Sequence, residues 1–203
     1  MKNAITLLIL SLSLSLAQAQ HQLWNDLLQA HVNEQGMVDY EGMQRDSVKL
    51  NEYLNSLSTF PLDRVRMSRE GMMAFWVNAY NAFTVKLIVD NYPLGSITEL
   101  NDGDVNPWDR KFILMQGKYI SLNHIEHEIL RKQFQEARIH FIINCASISC
   151  PKLWNEAITA DNLEGIMEEA TTAYINNPQE NFISPIKAEI SMLFSWFADD
   201  FIQ

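Results

Sequence analysis

The sequence predicts a helix-rich α+β single domain around a small, mostly antiparallel sheet. Three observations lead there. Residues 68–90 have a helical length, and their centre, residues 72–83, is apolar nearly all round, the pattern of a helix enclosed by protein. Several other segments carry apolar residues at helical spacing. After Lys111 the period becomes that of extended chain, with two short apolar runs flanking Gln116-Gly117. With 203 residues the chain can bury one substantial core and scarcely two.

Taken in order, residues 22–32 place Leu23, Trp24, Leu27, Leu28 and Val32 on one helical face, and Gly36 follows as a stop. Val38-Asp39-Tyr40 reads as a short extended piece. Residues 50–57 form a second helix, ended before Pro61. Ser68 caps the long helix, which Tyr92-Pro93 closes. Residues 112–115 and 118–120 make a β-hairpin whose turn needs φ > 0 at Gly117. Ser121 or Asn123 caps a helix through Arg131. Residues 138–144, with the run Ile139-His140-Phe141-Ile142-Ile143, read as a buried strand. Pro151 suits the first position of a helix. Asp161-Asn162-Leu163-Glu164 resembles a capping box opening a helix to about Ile175. Residues 181–191 hold one or two strand pieces broken by Pro185, and residues 194–201 are helical.

Composition narrows function by exclusion. Lys and Arg number 15 against 25 Asp and Glu, a net charge of −10. Such a chain repels phosphate backbones and has no compensating basic cluster, so no nucleic-acid partner is expected. Residues 1–19 read as a secretory signal peptide: Lys2 is the positive start, residues 5–16 the apolar stretch, and Ala17-Gln18-Ala19 the cleavage site. Its removal leaves 14 basic and 25 acidic residues, a charge of −11. No later segment has 18 consecutive apolar residues, so no transmembrane segment is expected after cleavage, and the mature domain from residue 20 to 203 is expected in the periplasm or outside the cell. In that oxidising setting Cys145 and Cys150 can pair.

Four patches hold polar residues that composition does not explain. Asn78 and Asn81, three apart in the apolar helix, either brace neighbouring backbone or line a site. His124, His127 and Glu128 share a helix face. The zincin order fails because Arg131 stands where a second His belongs, so no metal is expected. His140 lies within the apolar run. The segment Asn144-Cys145-Ala146-Ser147-Ile148-Ser149-Cys150-Pro151 offers a thiol at the end of the expected strand and another ahead of Pro151. A thiol nucleophile needs a base nearby. Five residues of extended strand separate the Cα atoms of His140 and Cys145 by roughly 16 Å, which favours His127 as that base. Glu126, adjacent to His127 on a helix, points about 100° away from it.

These residues fall into motifs. Trp24-Asn-Asp-Leu-Leu, Gly36 to Tyr40, Ala74-Phe-Trp-Val-Asn-Ala-Tyr-Asn-Ala82, Leu122-Asn-His-Ile-Glu-His127, Arg138-Ile-His-Phe141, Asn144-Cys145, Ser149-Cys150-Pro151 and Phe194 to Phe201 resemble, in order, the motifs of the DUF547 family. That family is named for having no established function. The resemblance associates the domain with papain- and transglutaminase-like cysteine enzymes and so implies a papain-like fold. Family chains usually continue to a further strand; this sequence stops at Gln203, so either the sheet loses an edge strand or the sequence is a fragment. Two functions stand side by side. One is a thiol hydrolase or acyl-transfer enzyme with Cys145 as nucleophile and His127 as base. Asn78 or Asn81 then positions the base or the oxyanion, with Glu126 and His140 in support. The other is a non-catalytic exported binding or scaffold domain with a Cys145–Cys150 disulfide. Either way the expected partner is a peptide or small molecule, and no cofactor is expected.

Overall fold

A long helix, α4 (Arg69–Val89), forms the axis of the computed structural model, which describes residues 21–62, 67–147 and 150–202. The expected signal peptide lies outside the described residues. By length and composition α4 could cross a membrane, yet 94% of its apolar window is buried inside the protein. Burial extends right round it, from Met72 to Val85 without a break. Ser68 caps it as expected, its Oγ accepting from the Gly71 N–H at 3.0 Å.

Three helices cover one side. In α1 (Gln22–His31), Trp24, Leu27 and Leu28 face inward, and Trp24 stacks on Tyr53 with ring centroids 5.7 Å apart. Val38 is extended as expected, in an antiparallel bridge with Val32, and helix α2 (Tyr40–Arg45) takes over from Tyr40, the last residue of the expected extended piece. Asp39 starts it by accepting from the Gly42 N–H at 2.9 Å, an N-cap inside what reads as a strand. Helix α3 (Ser47–Thr59) is longer than its apolar stripe, because only Leu50, Tyr53, Leu54 and Leu57 need cover. Gly36 does more than end α1: its φ is 79° and a Cβ there would collide with Lys152 and Leu153.

Among the described residues the strands form two separate antiparallel hairpins, β1 (Ile113–Met115) with β2 (Lys118–Ile120), and β3 (Phe182–Ile183) with β4 (Ala188–Glu189). In the first, Ile113 faces Ile120, and Gln116 and Gly117 both have positive φ (49° and 80°), as a type I′ turn requires.

On the other side of α4 lies a helix wound as a π-helix, His124–Phe134, extending past the expected end at Arg131. Ser121 caps its start, its Oγ accepting from the His124 N–H at 3.1 Å. The expected strand at 138–144 is absent. Ala137–Phe141 is a short 3-10 helix followed by a turn at Ile142. An apolar run of five residues is buried equally well in either conformation, and tertiary packing decides between them. Nor does Pro151 open a helix: residues 151–160 form an irregular segment. Helix α5 (Leu163–Ile175) follows, but Asn162 does not cap it and accepts instead from the Thr159 N–H at 2.6 Å. The segment expected as one helix at 194–201 is two short ones, α6 (Leu193–Trp196) and α7 (Ala198–Phe201). The result is a helix-rich α+β domain with one core centred on α4.

Candidate functional site

A cleft of about 390 Å³ opens where α4, the π-helix, the Cys145 loop and the C-terminal helices meet. Its lining includes Glu126, His127, His140, Cys145 and Cys150, five of the seven residues that the sequence assigns to the thiol reading. The other two, Asn78 and Asn81, are structural braces. Asn78 donates to the Ile158 carbonyl at 2.6 Å and accepts from the Ile158 N–H at 3.1 Å. Asn81 donates to the Ile142 carbonyl at 3.0 Å and accepts from the Asn144 N–H at 2.8 Å. Each amide thus satisfies buried backbone of an irregular segment from within an apolar helix, and neither positions a base.

The 3-10 turn removes the distance that separated His140 from Cys145 in the sequence argument. The strand-length argument against His140 fails because the chain bends at Ile142, bringing His140 and Cys145 to one cleft. His140 is 2% exposed, stacks on Phe197 at a centroid distance of 3.8 Å, and has Nε2 2.7 Å from Asp200 Oδ2. Burial lowers its pKa to about 4, so the ring is neutral at physiological pH. Burial opposes ionisation of Asp200, but its hydrogen bonds from Arg131 and His140 prevail and hold it below the usual carboxylate range. An ionised Asp200 accepts at Oδ2, so the proton of neutral His140 sits on Nε2 and Nδ1 is left as the basic nitrogen. That Nδ1 is 4.0 Å from Glu126 Oε1.

His127 is differently placed. Its Nδ1 lies 3.1 Å from Nη1 of Arg131. Guanidinium only donates, so Nδ1 accepts and the hydrogen resides on Nε2. Burial, then Arg131, lowers its pKa. In this arrangement His127 is a hydrogen-bond donor more than a base. Arg131 also grips Asp200 through two hydrogen bonds, at 2.5 and 3.0 Å.

Glu126 is 7% exposed, and burial lifts its pKa to about 7 despite a hydrogen bond with Tyr80 and the nearby Arg131 charge. Sequence reasoning turns Glu126 away from His127 by the pitch of an α-helix. The π winding is wider, and both line the cleft. Residues Cys145 and Cys150 are joined as a disulfide, their Cα atoms 6.1 Å apart. Between them Ala146 holds φ 59°, a left-handed conformation that costs a non-glycine residue about 1 kcal/mol. Asn144 supports it, accepting from the Ala146 N–H at 3.0 Å.

The family model described as "Protein of unknown function, DUF547" matches residues 65–175, more than half of the chain. The chain belongs to the DUF547 family. No curated protein and no solved structure matches it. In this DUF547 domain the matched region carries Tyr80, Glu126, His127, Arg131, His140 and both cysteines, while Asp200, Trp196 and Phe197 come from beyond it.

Several of these were missed from sequence: Tyr80, Trp108, Arg131, Trp196, Phe197 and Asp200. The available signal for Asp200 was an acidic pair, Asp199-Asp200, inside an aromatic C-terminal stretch. Of the patch His124, His127 and Glu128 only His127 lines the cleft: His124 is exposed, and Glu128 pairs with Lys132 at 2.6 Å. Among the described residues no group of three or more His, Cys, Asp or Glu side chains could hold a metal ion.

Proposed function

We propose that the cleft is a thiol-dependent hydrolytic or acyl-transfer site, masked in its oxidised form by the Cys145–Cys150 disulfide, in a protein exported by its N-terminal leader. The observation carrying this reading is that Cys145 lines the same cleft as a neutral histidine oriented by a carboxylate, His140 with Asp200. A dithiol reductant first exchanges with the disulfide, becoming oxidised while Cys145 and Cys150 are released as thiols. Cys145 passes its proton to Nδ1 of His140, and its sulfur bonds to the carbonyl carbon of an ester or amide. The C–O or C–N bond breaks as the leaving group takes the proton from His140, leaving a thioester. Water, losing a proton to His140, then cleaves the C–S bond; the acid departs and the thiol is restored. His127, donating from Nε2, is suited to stabilise the carbonyl oxygen.

The test uses Cys150→Ser, which leaves Cys145 reduced, with iodoacetamide labelling near pH 7 and a panel of acyl esters. Labelling of Cys145 faster than that of a free cysteine, abolished by adding His140→Ala but only weakened by adding His127→Ala, supports the proposal. Reactivity no greater than free cysteine, with no ester cleaved, overturns it. The second reading, a binding domain braced by a structural disulfide, is favoured by the fact that both sulfurs are bonded in the structure; it then stands. Export is tested separately by the mass of the protein recovered outside the cytoplasm, which should begin at Gln20.

A further inference from the structure

The walls of the cleft say what kind of group it accepts. Trp108, Ile143, Leu193, Trp196 and Phe197, from three parts of the chain, put apolar side chains on its surface. Among the described residues no Lys or Arg lines it. The ionisable groups that do are Tyr80, Glu126, His127 and His140, and each is engaged: Tyr80 and Glu126 with each other, His127 with Arg131, His140 with Asp200. Arg131 and Asp200, the charged pair adjoining the cleft, neutralise each other. An anionic ligand would therefore enter an apolar space without a counter-charge, against a chain of net charge −10. An ammonium group would lose its hydration with only an already bonded Glu126 to meet it. The volume of about 390 Å³ lies at the small end of the range for ligand pockets, enough for a short aliphatic or single-ring group.

We infer that the cleft binds the uncharged apolar acyl portion of its substrate, aliphatic or aromatic, and discriminates against acyl groups that carry a carboxylate or an ammonium. The word acyl rests on the function proposed above; the selection for an uncharged apolar group rests on the lining alone. Binding can therefore be measured without chemistry, on the oxidised wild-type protein, which has no free thiol among its described residues.

The probes are hexanamide and 4-phenylbutyramide, compared with adipic acid monoamide and 6-aminohexanamide, which add only a charged tail to the aliphatic amide. Tryptophan fluorescence, from Trp108 and Trp196 in the walls, reports occupancy. The neutral amides should bind at least about tenfold more tightly than the charged ones. Trp196→Ala, at a position 65% exposed and so safe for folding, should weaken the neutral amides by about fivefold. Ser147→Lys, at an exposed position on the lining, should raise the affinity for the carboxylate probe. Equal or tighter binding of either charged amide overturns the inference, and so does the absence of saturable binding by both neutral ones. Reactive Cys145 with no preference for neutral amides would sink this inference alone. Neutral-amide binding with an unreactive Cys145 would sink only the hydrolytic reading.

Discussion

Replacing Glu126 by Gln tests the electrostatics of the cleft through stability. In the unfolded chain this carboxyl titrates near 4.5, and in the folded protein burial moves it to about 7. The folded state then holds the proton more tightly, so between those two values it binds more protons than the unfolded chain, and stability falls as pH rises. The advantage of the protonated form is complete below about pH 4.5 and lost once pH passes about 7. The difference of the two values corresponds to about 3 kcal/mol, most of which develops between about pH 5 and pH 8. Gln has the same shape, can still bond to Tyr80 and has no proton to lose. The stability of Glu126→Gln relative to wild type should therefore rise by about 2 to 3 kcal/mol across that window. His140 acts with the opposite sign, since its lowered pKa makes stability fall as pH drops from 6.5 towards about 4. That contribution is present in both proteins and largely cancels in the comparison. Tyr80, Arg131 and Asp200, the other groups facing Glu126, keep one charge state throughout. Urea unfolding of both proteins at four pH values measures the difference. A difference that stays constant with pH refutes the reasoning, because Glu126 would then be ionised in the fold like any exposed carboxyl.

Three further outcomes follow from particular contacts. Asn78→Ala strands the Ile158 N–H and carbonyl inside the core and should cost about 2–4 kcal/mol in chemical denaturation; a loss under 1 kcal/mol would mean that water or another group takes over. Asp200→Asn leaves Arg131 half-buried without its carboxylate and His140 without its anionic partner, and should lower stability by about 2 kcal/mol. Its His140 ring should also lose its fixed tautomer, seen as changed ring-nitrogen chemical shifts, and unchanged shifts would contradict the assigned hydrogen bond. Gly117→Val meets no neighbouring atom but must hold φ at 80°, so strain alone should lower the melting point, by the equivalent of about 1 kcal/mol or more; an unchanged melting point would contradict that turn.

What could be read from the residues alone was whatever local pattern controls. Helix α4 was legible because an apolar surface on every side leaves no conformation except an enclosed helix, and Ser68 marks its start. The hairpin at Gln116-Gly117 was legible because a two-residue turn between strands demands positive φ, and Gly supplies it at least cost. Helix α2 was not, because Asp39 reads equally well as part of a strand until its side chain is seen to cap. The cleft was half legible. Cysteines and histidines announce possible chemistry by type, so Cys145, Cys150, His127 and His140 stood out, together with Glu126 beside its histidine. Asp200, Tyr80 and Arg131 are common residue types whose importance arises only from whom they meet.

The sequence by itself determined a helix-rich domain with one enclosed helix, a tight hairpin and a list of reactive side chains. These depend on periodicity, turn chemistry and residue type, all of which act over a few neighbouring positions. Only the tertiary structure decided that Ile139 to Ile143 turns instead of running straight, that two asparagines hold backbone, and that Asp200 reaches His140 across 60 positions of chain. Burying an apolar run is favourable in either conformation, and a charged hydrogen bond between distant residues has no local signature. Those choices belong to the packing of the whole core.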